Sequence, residues 1–127
     1  MERRLVSSGS PYEQVVGYSR AVRVGSYVHV AGTAPIMADG SEPPADSYGQ
    51  ARRCFAIIGA ALVEAGGGFE HVVRTRIYVT PEADFDGVGR AHGEVFRDIR
   101  PVNTTVVVAA LIDPRWLVEI EVDAIVS

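Results

Sequence analysis

The chain has 127 residues, of which 47% are hydrophobic and 22% are charged, with 13 glycines and 7 prolines. This length suits one domain over residues 1–127, and the composition excludes a disordered tail protein, a collagen-like repeat and a disulfide-based scaffold. The formal net charge of −4 argues against a nucleic-acid partner, because proteins that bind the phosphate backbone concentrate positive charge.

Lysine is absent, since all 12 basic residues are arginines, and this excludes Schiff-base and P-loop lysine chemistry. The one cysteine, Cys54, cannot form an internal disulfide, so the chain needs no oxidising compartment. The N-terminal segment MERRLVSSGSPY lacks the apolar region of a signal peptide, and no apolar run reaches the length of a membrane span. We therefore expect a cytoplasmic protein with no membrane partner.

Three short strands are predicted before the first helix, at residues 5–6, 21–24 and 27–31. A turn-rich loop, Met37 to Pro44, follows them. From Ser47 to Ala65 apolar side chains recur every three or four residues, which predicts an amphipathic helix. The residues on its apolar face are Ala51, Phe55, Ile58, Leu62 and Ala65. Asp46 or Ser47 can cap its start, and Gly66-Gly67-Gly68 ends it.

The second half of the chain alternates strands with one more helix. Val72 to Val79 alternates strictly and is predicted to be a strand, with Val73 and Thr75 on its inner face. Pro81 opens a second helix that ends before Pro101 and carries His92 on its apolar face. Two further strands are predicted at residues 103–111 and 117–125. The inward residues of the last strand are predicted to be Val118, Ile120, Val122 and Ala124.

The order β-β-β-α-β-α-β-β is simplest to pack as an α+β fold, with a single sheet and both helices on one face. The opposite sheet face is expected to carry Tyr78, Val107 and Glu119. This mixture is too apolar to leave in water, so we expect self-association to cover it.

For several patterns we favour a structural role over a functional one. The three glycines after the first helix follow a helix and lack a nucleotide-binding spacing, so they are read as its C-terminal cap. The histidines His29, His71 and His92 are scattered without metal-ligand spacing, so no metal site is expected. His92 is expected to be buried and hydrogen-bonded, and Cys54 to be a small buried hydrophobe.

Three acids, Glu119, Glu121 and Asp123, share one face of the last strand because side chains alternate along a strand. They can form a solvated face or pair with Arg74 and Arg76, which have the same spacing. Alternatively, one of them faces a cleft between subunits as an acid, a base or a water-orienting group.

Four segments, GYSRAVRVGSYVHVAGT, VVRTRIYVT, HGEVFRDIRP and LVEIEVDA, together resemble the RidA family, also called YjgF or L-PSP. The resemblance implies a chorismate-mutase-like fold and a homotrimer with a central β-barrel and ligand clefts between neighbouring subunits. It also implies hydrolysis of reactive enamines and imines without a metal or other cofactor.

The resemblance assigns three site residues. Tyr18 in GYSRAV matches the tyrosine at the mouth of the family cleft, and Gly32 matches a glycine whose backbone faces the ligand. Glu119 in LVEIE matches the carboxylate that orients the attacking water, and is therefore the expected catalytic residue.

Other family positions have diverged. Asn103 stands where deaminating members carry an arginine that grips the substrate carboxylate. Ala31 replaces a serine, Gly89 an asparagine, and Thr105 a cysteine or serine. Arg20 and Arg90 are the arginines that can supply charge from elsewhere.

These residues predict a RidA-like homotrimer that binds a small carbonyl, imine or enamine metabolite between subunits, with hydrolytic deamination as the expected reaction. The alternative is a binding or sensing trimer without chemistry, which the loss of the arginine favours. An endoribonuclease fits the negative charge poorly.

Overall fold

The structure, a computed structural model, describes residues 1–127. Six strands form one sheet in the order β1-β2-β3-β6-β4-β5. Neighbouring strands are antiparallel except for β4 and β5, which are parallel. The strands are β1 (Arg3–Val6), β2 (Ala21–Val24), β3 (Tyr27–Thr33), β4 (Val72–Val79), β5 (Val102–Val107) and β6 (Val118–Ile125).

Two α-helices, α1 (Ser47–Glu64) and α2 (Phe85–Phe96), pack on one face of this sheet. A single π-helical turn (Glu13–Gly17) and a short 3₁₀ turn (Phe69–His71) complete the fold. The predicted α+β architecture, with one sheet and two main helices, is confirmed. No helix combines the length and the apolar character that a membrane span requires.

The first helix follows its sequence signals closely. The Asp46 side chain accepts a hydrogen bond from the Gly49 backbone N–H at 3.2 Å, which caps the start as predicted. Gly66 has φ +88°, a left-handed conformation that ends the helix and favours glycine. All five residues of its predicted inner face are buried: Ala51, Phe55, Ile58, Leu62 and Ala65.

The core lies between the helices and the inner sheet face, where 22 apolar side chains form one buried cluster. Burial of this apolar area is the main stabilising contribution to the fold. Strand β6 lies in the middle of the sheet and buries every second side chain. Its inward residues are those predicted: Val118, Ile120, Val122 and Ala124.

Four local predictions were wrong. The strand predicted at residues 103–111 is β5, which ends at Val107. A β-bulge between Val72 and Arg74 buries Val72 and leaves Val73 43% exposed, so Val73 does not face inward. Pro81 lies in a turn, and α2 starts at Phe85 because Asp84 is its N-cap. Val107 pairs with the inward-facing Val79 at the sheet edge, so it is not on the face of Tyr78 and Glu119.

Candidate functional site

The sharpest feature of the candidate site is a β-bulge in β3 beside β6. Val30 pairs with Val122 and Thr33 with Ile120, so Ala31 and Gly32 together oppose one residue of β6. A bulge of this kind redirects the backbone locally. A Cβ atom on Gly32 would lie 2.5 Å from Oε2 of Glu119. A side chain at position 32 would therefore displace the Glu119 carboxylate from the place it occupies beside the Gly32 backbone.

Arg20 closes the other side of this bulge. Its Nη2 donates a hydrogen bond to the Gly32 carbonyl oxygen at 2.6 Å, and the Ala31 backbone N–H donates to the Arg20 carbonyl at 2.9 Å. Burial lowers the pKa of the Arg20 guanidinium, but a guanidinium stays charged at neutral pH. Its Nε is buried and has no hydrogen-bond partner in the chain. Arg20 therefore places a positive charge beside Gly32.

The environment of Glu119 suits proton transfer. Burial raises the pKa of the Glu119 carboxyl above its ordinary value, the positive charge of Arg20 opposes this shift, and the negative charge of Glu121 adds to it. A carboxyl with a raised pKa is a stronger base once it is ionised.

The other two acids form polar contacts across the sheet. Nη1 of Arg76 lies 3.7 Å from Oε2 of Glu121 and 3.2 Å from Oδ2 of Asp123. The Tyr78 hydroxyl donates a hydrogen bond to Glu121, and Nδ1 of His29 lies 2.8 Å from Oδ1 of Asp123. The predicted pairing of Glu121 with Arg76 is therefore present. Glu121 and Asp123 both contact side chains of neighbouring strands and so stabilise the sheet.

Tyr18 lies just after the π-helical turn and is 39% exposed. With Ala31 it lines an open groove of about 820 Å³ that extends over the sheet face away from the helices. Arg76, Glu121 and Asp123 also line this groove, whereas Glu119 does not. We call Tyr18, Arg20, Ala31, Gly32 and Glu119 the Glu119 half-site.

Asn103 and Thr105 lie on the edge strand β5. Nδ2 of Asn103 donates to Oγ1 of Thr75 at 3.0 Å, and Oγ1 of Thr105 donates to Oδ1 of Asn103 at 3.0 Å. Oγ1 of Thr75 in turn lies 2.9 Å from Nε2 of His92. We call Asn103 and Thr105, with their support from Thr75 and His92, the Asn103 half-site.

Within one chain the two half-sites are apart. Strand β4 separates β5 from β6, so their backbones are about 10 Å apart at the usual strand spacing. They also use opposite sheet faces, because Asn103 pairs with the inward Thr75 and Glu119 pairs with Tyr78. A single chain therefore does not bring all the sequence-predicted residues into one pocket.

Gly89 and Arg90 belong to the outer surface of α2. Gly89 is exposed, and a Cβ atom there would meet nothing within 4 Å. The guanidinium carbon of Arg90 stacks 4.0 Å from the centroid of the Tyr48 ring. Of the two arginines named from the sequence, Arg20 and not Arg90 contacts the Glu119 half-site.

Sequence reasoning missed the support of Asn103 by Thr75 and His92. The sequence contains a signal for this contact, because Thr75 and His92 are both polar residues predicted on faces that point into the core, where polar groups need partners. The prediction that His92 is hydrogen-bonded and that Cys54 is buried is confirmed. Burial raises the pKa of the Cys54 thiol, so this side chain is not an activated nucleophile.

Comparison with known families decides the identity of the fold. The family described as Endoribonuclease L-PSP matches residues 9–126. The chain belongs to the RidA (YjgF/L-PSP) family. The resemblance noted in the four sequence segments is thereby confirmed over almost the whole chain.

Relatives within the RidA family cover nearly the whole chain as well. An uncharacterised protein of Streptomyces coelicolor is 45% identical over 95% of this chain and 90% of its own length. The crystal structure of a Mycobacterium tuberculosis member of the YjgF/YER057c/UK114 family is 48% identical, with a TM-score of 0.89 over 98% of this chain and 100% of that one. The crystal structure of TdcF of E. coli with bound serine is 27% identical, with a TM-score of 0.81 over 98% of this chain and 94% of that one.

Proposed function

We propose that the protein forms a homotrimer and binds a small carbonyl, imine or enamine metabolite in clefts between subunits. In each cleft, the Glu119 half-site of one subunit faces the Asn103 half-site of its neighbour. Supporting this arrangement, the two half-sites are apart within one chain, and β5 is an edge strand that exposes Val102 and Val106. An unpaired, partly apolar edge strand is a surface that proteins usually cover. The bound serine in the RidA relative TdcF supports a small ligand.

The observation that carries the proposed chemistry is the position of Glu119. Its carboxylate lies against Gly32, next to the charge of Arg20, with its pKa raised by burial. In hydrolysis of an imine, Glu119 takes a proton from water as the water oxygen attacks the C=N carbon. The proton then passes to the nitrogen of the tetrahedral adduct. Glu119 next takes the hydroxyl proton of the adduct and passes it to the nitrogen as the C–N bond breaks, so that ammonia leaves and a carbonyl compound remains. An enamine enters the same sequence after protonation at carbon.

A second candidate function is binding or sensing without turnover. The observation that favours it is Asn103, whose amide brings no charge where deaminating members of the RidA family carry an arginine. Without that bidentate partner, a substrate carboxylate loses two charge-assisted hydrogen bonds. Cleavage of RNA is disfavoured by the net charge of −4 and by the lack of any lysine.

The experiment is release of ammonia from 2-aminoacrylate and from its neutral carboxamide, both generated in situ, with light scattering on the same sample. We expect a trimer with turnover that Glu119→Gln abolishes and Glu121→Gln retains. A trimer that binds ligand without releasing ammonia would establish the binding function instead. A monomer at micromolar concentration would contradict the shared cleft, and RNA cleavage that survives repurification would support the nuclease.

A further inference from the structure

A chain of hydrogen bonds runs from the core to the edge of the sheet. It connects His92 on α2, Thr75 on β4, and Asn103 and Thr105 on β5, with successive distances of 2.9, 3.0 and 3.0 Å. We call these four residues the polar relay. Only its Asn103–Thr105 end reaches the exposed edge strand, so this end is the part that a ligand can meet.

The inner end of the relay consists of the buried Thr75 and the half-buried His92. Thr75 has no exposed surface, and the His92 ring packs against the rings of Phe55 and Phe96, with centroids 5.9 and 4.8 Å away. A buried polar atom without a partner is costly. The buried Thr75 hydroxyl is therefore held to the two partners that the chain provides, Asn103 and His92.

Donor and acceptor counting then sets the direction of the relay. An amide nitrogen only donates, so Thr75 Oγ1 accepts from Asn103. The proton of the buried Thr75 hydroxyl then needs an acceptor, and Nε2 of His92 is the partner within reach, so we assign the proton to that hydrogen bond. His92 is then neutral, with its ring proton on Nδ1. At the other end, the Thr105 hydroxyl gives its only proton to Asn103 Oδ1. Burial lowers the pKa of His92, which agrees with a neutral ring at pH 7.

We propose that His92 and Thr75 are positioning residues, and that the outer end of the relay receives a neutral hydrogen-bond-donating group of the ligand instead of a carboxylate. The inference rests on the proposed function, which places this end in the ligand cleft. With its proton committed, Thr105 offers only lone pairs outward. Asn103 has one free N–H and one free lone pair. An amide, amine or hydroxyl group both donates and accepts, so it matches this set. A carboxylate can use only the one free N–H and has no proton for the lone pairs of Asn103 and Thr105.

In the proposed cleft, the outer end of the relay faces the Glu119 half-site of the neighbouring subunit. The Glu119 half-site supplies no surplus positive charge for a carboxylate. Arg20 is its one cation, and the negative charges of Glu13 and Glu119 both act on that guanidinium. The two carboxylates outnumber the one guanidinium, so the net negative charge at this half-site would repel an anionic ligand. A neutral ligand avoids that cost.

The direction of the relay is tested by the tautomer of His92. Long-range ¹H–¹⁵N correlation spectra of protein labelled at histidine give the protonated ring nitrogen of each histidine. The His92 signals are assigned by their loss in His92→Gln. We expect a neutral ring with its proton on Nδ1, and loss of this fixed tautomer in Thr75→Val. A proton on Nε2 would reverse the relay, free the Thr105 proton for the ligand and overturn the inference.

The ligand class is tested with two stable molecules of the same shape, pyruvamide and pyruvate. By calorimetry, the wild-type trimer is expected to bind pyruvamide about tenfold more tightly, a factor of the order of one hydrogen bond. Thr75→Val should lose this preference, and Asn103→Arg should invert it. Thr80→Val is the matched control, because it removes a nearby buried hydroxyl that has no hydrogen-bond partner. The preference for pyruvamide should survive in this variant.

The outcomes separate the inference from the proposed function. Equal affinity for the two molecules, or a preference for pyruvate in the wild type, overturns the ligand class while the cleft stands. Binding of neither molecule to an intact trimer overturns the proposed function together with the ligand class. In that case the tautomer of His92 still decides whether the relay exists.

Discussion

Replacement of Thr75 by valine keeps the shape of the side chain and removes one buried oxygen. Because Thr75 Oγ1 links Asn103 and His92, the variant leaves an amide N–H and a ring nitrogen without their partner. A buried unsatisfied polar group costs about 1–3 kcal/mol. Both orphaned groups are only partly shielded from water, so we expect a loss of about 2 kcal/mol in the free energy of unfolding.

Thr80→Val provides the comparison, because the Thr80 hydroxyl is buried and has no partner. Its removal relieves a polar group that is already unsatisfied, so we expect no change or a gain of up to ~1 kcal/mol. The change in the free energy of unfolding of each variant is measured by urea unfolding at one fixed protein concentration, since self-association makes apparent stability depend on concentration. Equal losses in the two variants would refute the reasoning, because only packing around the two threonines would then matter.

Three further predictions concern the Glu119 half-site and the sheet. Gly32→Ala should lower turnover by an order of magnitude or more while the trimer persists, because the new Cβ displaces the Glu119 carboxylate and small misplacements of a catalytic group are costly; unchanged ammonia release would contradict this. Arg20→Gln should move the acidic limb of the pH–rate profile to higher pH, because Arg20 favours the ionised form of Glu119 and so lowers its pKa; a limb that stays or moves to lower pH would show that Arg20 does not act on Glu119. Glu121→Gln should cost roughly 0.5–1 kcal/mol of stability by weakening a partly exposed ion pair and spare turnover, as equilibrium unfolding and the ammonia assay together will show.

Stability should also respond to the charge of Glu119 itself. Burial raises the pKa of this carboxyl in the folded chain, so folding is favoured while the group is protonated, and that contribution is lost as the pH rises through the folded-state pKa. Glu119→Gln should therefore leave the melting temperature at pH 7 unchanged or slightly raised. A clear fall would indicate a structural role for the carboxylate.

Much of the fold was predictable because periodicity and caps agree with the packing. In α1 the 3.6-residue spacing, the Asp46 cap and Gly66 all indicate the same helix, and β6 buries every second residue as its alternation requires. Where the prediction failed, an interaction distant in sequence was responsible. The bulge at Val73 depends on the register against β6, which alternation within one strand does not show.

In the candidate site, some residues could be named from the sequence, whereas the contacts between them required the structure. Glu119, Gly32 and Tyr18 were named through motifs that resemble the RidA family, since periodicity alone could not separate Glu119 from Glu121. The contact of Arg20 with the Gly32 carbonyl needs the tertiary structure, because it depends on the β3 bulge. The same holds for the hydrogen bond between Asn103 and Thr75, which joins strands that are far apart in sequence.

The most direct test of the shared cleft is complementation between two inactive variants. Glu119→Gln disables one half-site, and Asn103→Trp fills the other with a bulky ring. When the two chains are refolded together in equal amounts, a cleft is intact only where the Glu119→Gln chain supplies its native Asn103 and the Asn103→Trp chain supplies its native Glu119. This combination is about one cleft in four for a ring of heterologous contacts. We predict recovery of about a quarter of the wild-type ammonia release in the whole refolded sample, which corresponds to about one intact cleft in each mixed trimer. No recovery above the two separate variants, in samples that light scattering shows to be mixed trimers, would contradict a site built from two subunits.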